Sequence, residues 1–420
     1  MANALTRLWL GGMNRLVKAQ RRQTVRAVQT LLGPPKKSKR RAPNKPGQLE
    51  RYLSPLSLLA TRKLPTPKPA PPKAAPSRVA ANAPAASPKP VRVVVRSRTA
   101  RNAPITPSSS LAKGRFTRHL FKPTAESTTS RKHALHYWLY WPSKAPATPR
   151  PLVVMLHGCG QTALEFAQGT RMNELAERKG FAVLYPQQSV TSESSRCWPW
   201  YLADVQAGEG DAALLNELVR AVLTQQRIDR RRVYVAGISA GAAMAQILAL
   251  TQPGLIAAIG MHSGPVFGAA SSKASGFATM QQGAALHATR AVDRVKRANG
   301  GSSVLPALLI HGDHDKVVRP VNLMQAARQM LAVNGMDLSS PALLREHPAR
   351  VRGAQPTLGL RTLSYTAPGD IKPRVIAAQV NGLEHAWSGG ASGLRHNSGI
   401  GPDASALLWN FFARQRRAAA

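Results

Sequence analysis

The chain has 420 residues, with 58 Lys and Arg against 19 Asp and Glu, a formal net charge of +39 and a pI near 11.6. Hydrophobic residues make up 43%, enough for a real core and for one large domain or two ordinary ones. No stretch reaches the 18 apolar residues of a membrane-spanning helix, and two cysteines, Cys159 and Cys197, do not make a disulfide framework.

Charge is concentrated at the start. Residues 1–110 hold 23 basic residues and one acidic residue, Glu50. Within 1–32, Leu5, Leu8, Trp9, Met13, Leu16 and Val17 share one helical face. An interfacial helix on an anionic membrane or granule would use that face. Gly11-Gly12 weakens such a helix, so a poorly ordered basic arm is the simpler expectation. The patch Leu8-Trp9-Leu10 runs into those glycines and Arg15 without a clean cleavage site, a poor match to a secretory signal. Residues 33–114 read as a disordered linker, rich in Pro, Ala and Lys, as in Pro67-Lys68-Pro69-Ala70-Pro71-Pro72-Lys73. Its charge can attract anionic surfaces nonspecifically. It lacks zinc spacing and the interleaved aromatics of a base-stacking surface, so no specific nucleic-acid motif is present.

Order is expected from 115 to 420. His133–Trp141 reads as an aromatic strand, Pro151–Leu156 as a buried strand, and 162–179 as one helix ending at Gly180. Phe181–Tyr185 is a further strand, 209–226 a helix, Arg232–Gly237 a strand and 240–251 a helix before Pro253. Leu255–Met261, Pro306–Ile310 and Arg374–Val380 supply more strands. Residues 265–303, rich in Gly, Ala and Ser, fit either a small cap or a surface excursion. Strands alternating with helices predict an α/β fold with a mainly parallel central sheet flanked by helices.

Gly237-Ile238-Ser239-Ala240-Gly241 lies between a predicted strand and a predicted helix, the setting of a nucleophile elbow. A serine needs a base. His385 follows a late strand and is the best candidate. His157 reads as shaping a turn, His262 comes too soon after the elbow, and His311 and His314 sit in the loop expected to supply the acid. That acid is predicted to be Asp315, which would hold the imidazole in one tautomer. Asp313 is the neighbouring alternative and fits a capping role, while Asp370 and Glu384 are outside candidates. Backbone N–H groups of Cys159 and Ala240 are predicted to form the oxyanion hole. The Cys159 side chain is then free to bridge Cys197; two reduced core thiols are the alternative. No Cys/His cluster has metal-ligand spacing, and nucleophilic chemistry at a Ser-His-Asp site calls for no cofactor.

Together with His157-Gly158-Cys159-Gly160-Gln161, Cys197-Trp198-Pro199-Trp200, His262-Ser263-Gly264, His311-Gly312-Asp313-His314-Asp315 and His385-Ala386-Trp387-Ser388-Gly389-Gly390, the elbow resembles the polyhydroxybutyrate (PHB) depolymerase family of esterases over about residues 115–415. The resemblance implies an α/β-hydrolase fold, a triad of Ser239, Asp315 and His385, and carboxylic ester substrates. These would be short-chain hydroxyalkanoate polyesters or, alternatively, feruloyl or acetylxylan-type esters. It also implies action outside the cell. The basic arm and the weak signal depart from that pattern and suit an intracellular, granule-associated alternative. Trp198, Trp200 and Trp387 are candidates to line the substrate pocket, or to fill the core. The rival readings are a non-catalytic granule-, membrane- or nucleic-acid-binding protein on a hydrolase scaffold, and another acyl hydrolase such as a peptidase or thioesterase.

Overall fold

The computed structural model describes residues 113–123, 134–144, 148–191, 193–284, 287–298, 304–352 and 355–418. The expected helical arm (1–32) and all but the last two residues of the linker (33–114) lie outside these.

Strand β1 (Arg115–Phe121) pairs antiparallel with β2 (Leu135–Trp141), the aromatic strand. β3 (Arg150–Leu156) is buried at every position. Leu152, Val154 and Leu156 enter one apolar cluster, Val153 and Met155 a second. A strand covered on both faces has no polar side, hence the unbroken apolar run from Pro151 to Leu156 after Arg150.

Residues 162–179 form two helices rather than one. Thr162 and Glu165 make a capping box at the start of α1 (Ala163–Thr170), Arg171 turns left-handed at φ 55°, and α2 (Met172–Lys179) runs on to Gly180. The break has a tertiary cause. The Gly169 carbonyl accepts the Ala391 N–H and the Thr170 carbonyl accepts the Ser405 hydroxyl, so the last carbonyls of α1 have partners elsewhere in the chain.

The alternation then continues through β4 (Ala182–Pro186), the short α3 (Ala203–Gln206), α4 (Asp211–Gln225), β5 (Ile228–Ile238), α5 (Ala240–Thr251) and β6 (Ala258–His262). Every residue of α5 except Thr251 is buried, which explains why it is apolar on all sides but for Gln246, whose amide donates to Gln329. The Gly/Ala/Ser segment contains α6 (Lys273–Gln282) and α7 (His287–Ala298). After β7 (Ala307–Gly312) and α8 (Val321–Val333) come β8 (Ala342–His347), a small hairpin of β9 (Arg350–Arg352) and β10 (Gln355–Thr357), β11 (Leu360–Tyr365) and β12 (Val375–Val380). The two-residue strands β13 (Trp387–Ser388) and β14 (Asn397–Ser398) pair with each other, and α9 (Ala404–Phe412) follows.

The ten-stranded sheet has the order β1-β2-β4-β3-β5-β6-β7-β12-β11-β8. The six strands from β4 to β12 are mutually parallel, and the two at each edge are antiparallel. The C-terminal ends of β3, β5, β6, β7 and β12 therefore lie along one edge, where open α/β sheets form their sites. Among the described residues, no helix is long and apolar enough to cross a membrane.

Candidate active site

Ser239 stands at the junction of β5 and α5 with φ 56° and 9% exposure. A positive φ at a non-glycine residue is a strained conformation, held here by its neighbours. A Cβ at Gly241 would strike the carbonyl oxygen of Leu156, at 2.6 Å that of His157, and one at Gly237 would lie 2.5 Å from the Gly241 carbonyl. The two flanking glycines thus allow the turn to pack against the end of β3. The Ser239 N–H donates to the His262 carbonyl at 2.9 Å.

Two further strand ends supply the other groups. Asp315 follows β7 and is 1% exposed; its Oδ1 accepts the Val317 and Val318 N–H groups, each at 2.9 Å. Its Oδ2 accepts from His385 Nδ1 at 2.7 Å, with His311 Nε2 3.5 Å away. Burial alone would raise the Asp315 pKa. The hydrogen bond and charge of His385, together with His311 and the Val318 N–H, outweigh it and hold the carboxyl below its ordinary 3.8. With Nδ1 donating to a carboxylate, the neutral His385 ring keeps its lone pair on Nε2. Asp313 does something else: its Oδ1 accepts the Gly382 N–H at 2.6 Å. Asp370 pairs with Arg374. Glu384 lines the site pocket beside His385.

The loop after β3 is braced from several sides. His157, fully buried, donates from Nδ1 to the Gly158 carbonyl at 2.8 Å and accepts the Gln188 N–H on Nε2 at 3.1 Å. Gln188 in turn donates to the buried Asp211 at 2.7 Å. Burial pushes the His157 pKa down to about 4, against a smaller opposing pull from the Gly158 carbonyl. Gln161 Oε1 accepts the Gly158 N–H at 2.9 Å. Cys159 and Cys197 are joined as a disulfide. Among the described residues, neither the Cys159 N–H nor the Ala240 N–H has an acceptor.

A cavity of about 670 Å³ opens over these groups, and its wall includes Cys159, Ser239, Met280, Val317, His385 and His396. Ser239 and His385 therefore share one pocket, with Asp315 behind the imidazole. Trp198, Trp200 and Trp387 do not line it. All three are in the core, at 1%, 4% and 1% exposure. Trp198 Nε1 donates to the His157 carbonyl at 3.0 Å, Trp387 stacks on His262 and donates to Ser405 Oγ, and Trp200 packs edge-on against Tyr201. An indole with a buried partner for its N–H is better placed inside than on a wet wall. Met280 and Val317 were not singled out by sequence: Met280 sits in a segment of weak periodicity, and Val317 only follows the acid loop. Among the described residues, no group of three or more His, Cys, Asp or Glu could hold a metal ion.

Residues 135–346 match the family model described as "Esterase PHB depolymerase". A poly(3-hydroxyalkanoate) depolymerase C of Paucimonas lemoignei is 32% identical over 214 residues, 48% of this chain and 49% of that one. A poly(3-hydroxybutyrate) depolymerase of Ralstonia pickettii is 29% identical over 278 residues, 61% and 52%. The chain thus spans about half the length of these two relatives. A feruloyl esterase B of Thermothelomyces thermophilus is 31% identical over 214 residues, 49% of this chain and 72% of that one. Among solved structures, an acetyl xylan esterase from Aspergillus awamori superposes with a TM-score of 0.53 at 21% identity, covering 71% of this chain and 99% of that one. The architecture is that of an α/β-hydrolase.

Proposed function

The chain belongs to the PHB depolymerase family of esterases, and from that premise we propose that it is a serine carboxylic ester hydrolase whose catalytic unit spans residues 115–420. The observation that carries the proposal is the 2.7 Å bond from His385 to the buried Asp315, with His385 and Ser239 on one pocket wall. Ser239 Oγ attacks the ester carbonyl while His385 Nε2 takes its proton. The N–H groups of Cys159 and Ala240 receive the developing oxyanion. His385 then protonates the leaving alcohol, and water repeats the cycle on the acyl-enzyme, with Asp315 steadying the imidazolium.

Two relatives are named for poly(3-hydroxyalkanoate) hydrolysis, and short-chain hydroxyalkanoate esters are accordingly the proposed substrates. A feruloyl or acetylxylan ester is the second reading, favoured by the names of the esterase relatives. The Cys159–Cys197 bridge supports work in an oxidising compartment, and so outside the cytosol. The excess charge of residues 1–110 supports nonspecific attraction to anionic surfaces.

A substrate panel on the full chain tests this: nitrophenyl esters of short and long acids, feruloyl and acetylxylan esters, and hydroxybutyrate oligomers. The proposal expects turnover of short-chain esters and oligomers, abolished by Ser239→Ala. Equal turnover by wild type and Ser239→Ala would sink it. Preference for feruloyl or acetylated xylan esters would move the assignment to the second reading.

A further inference from the structure

The serine and the histidine come from different parts of the chain, and one buried residue touches both supporting segments. His262 ends β6 and is 0% exposed. Its carbonyl accepts the Ser239 N–H at 2.9 Å. Its ring Nε2 accepts the Ser388 N–H at 3.1 Å, three residues beyond His385 and 126 along the chain from His262. The ring stacks on Trp387 with centroids 5.1 Å apart and planes 24° apart, and Nδ1 faces Ser263 Oγ at 3.2 Å. A core histidine bonded only within its own strand would fix nothing beyond that strand. Here the main chain holds the elbow and the side chain holds the segment after the base.

We propose that His262 is a positioning residue, which sets the approach of His385 to Ser239 by gripping the Ser239 N–H with its carbonyl and the Ser388 N–H with Nε2. The proposal rests on the Ser239–His385 reading above and deepens it. The grip needs a free lone pair on Nε2. Burial, with the nearby His311 and His385, pushes the ring's pKa down to about 3, so that lone pair persists through neutral pH. Ser388 is itself 0% exposed, so its N–H has no access to water if the ring acceptor is lost. Loss of the acceptor frees the 385–388 segment to shift, and a misplacement of about 1 Å at a reacting group costs on the order of 100-fold in rate.

The test compares wild type, His262→Leu, His262→Gln and Ser239→Ala on nitrophenyl butyrate, with rates expressed per folded molecule. Leucine removes the ring acceptor, while glutamine offers an amide oxygen on a slacker chain. The expected result is a fall in kcat on the order of 100-fold for His262→Leu and an intermediate fall, roughly 10-fold, for His262→Gln, with KM changed less than about threefold. In ¹H NMR, the downfield proton shared by His385 and Asp315 should shift or broaden in His262→Leu. A folded His262→Leu enzyme within about threefold of wild-type kcat would overturn the proposal. If His262→Leu does not fold, His262→Phe, which keeps a ring against Trp387 but offers no acceptor, takes its place: a wild-type kcat in the folded variant overturns the proposal, and a fall on the order of 100-fold supports it. Turnover surviving in Ser239→Ala would sink the catalytic reading and this proposal together. Turnover lost in Ser239→Ala but unchanged by both His262 variants would sink this proposal alone.

Discussion

Asp313 and Asp315, two residues apart, hold two points of one loop: Asp313 Oδ1 accepts the Gly382 N–H at 2.6 Å, and Asp315 Oδ2 accepts from His385 Nδ1 at 2.7 Å. One carboxylate anchors the entry to the loop and the other orients the imidazole. Their consequences on substitution should separate. Asp315→Asn leaves the shape intact but offers an amide where the carboxylate was, and kcat should fall on the order of 10⁴-fold. Asp313→Asn keeps an oxygen that can accept the Gly382 N–H, and kcat should change less than about 10-fold; Asp313→Ala should cost about 1 kcal/mol of stability. Steady-state kinetics and urea unfolding of the three variants check this. Equal kinetic losses at 313 and 315 would contradict the division of roles.

The disulfide fastens the loop that carries the Cys159 N–H. With a sequence separation of 38, the chain-entropy relation gives about 4 kcal/mol from constraining the unfolded chain. Cys197→Ala should therefore lower the unfolding free energy by a few kcal/mol. It should also lower kcat in molecules that remain folded, because the Cys159 N–H is then held only through the hydrogen bonds of its neighbours Gly158 and Gly160 to His157, Gln161 and Ser195. Thermal melts paired with kinetics below the transition measure both effects. Unchanged kcat in folded Cys197→Ala would remove the bridge from the catalytic account.

Three buried histidines, His157, His262 and His311, have pKa values lowered by burial and predict an acid limit to stability. Burial lowers His157 to about 4 and His262 to about 3, against an ordinary value of 6.5. Between those folded values and 6.5 the unfolded chain takes up protons that the folded chain refuses. The stabilisation is complete above pH 6.5 and is lost as pH falls toward 4 and then 3. The full shift at His157 corresponds to about 3 kcal/mol. Urea midpoints should fall steadily from pH 6.5 to pH 4, and His157→Gln, if folded, should flatten the slope. A midpoint constant across that window would contradict the assignment.

Trp198 belongs to the support of the loop and not to the pocket wall. Trp198→Phe leaves a smaller aromatic ring and removes the N–H that meets the His157 carbonyl, 3.0 Å away. Stability should fall by about 1–3 kcal/mol while the preference among acyl chain lengths stays the same. A changed acyl preference would return the indole to the substrate pocket.

What the sequence made legible follows from local chemistry. The runs Pro151–Leu156 of β3, Ala182–Pro186 (β4) and Val233–Ile238 of β5 are apolar because both faces are covered, and such runs stand out without any structure. The elbow is legible because Gly237 and Gly241 are spaced around Ser239 for close packing. His385 and Asp315 each follow a strand, and parallel strands bring such loops to one edge. Other features depend on partners far along the chain. Nothing near Arg171 announces that Ala391 and Ser405 take the carbonyls at the end of α1. An indole's direction is not written in its neighbours, so Trp198, Trp200 and Trp387 could be read either way. The edge strands β1 and β8 are mixed in character and largely exposed along their length, which blurs the period-two signal. Helix α9 has no glycine after its last turn to mark its end, whereas α8 closes on Asn334-Gly335, with Gly335 left-handed at φ 73°, a stop that is written in the sequence.

Trapping the acyl-enzyme tests the central claim most directly. The full chain would be mixed with a fluorophosphonate or quenched during turnover of nitrophenyl butyrate, then digested and mapped by mass spectrometry. The account predicts one adduct per molecule, on Ser239, formed far more slowly in Asp315→Asn. An adduct on another residue, or continued turnover with Ser239 unmodified, would contradict it.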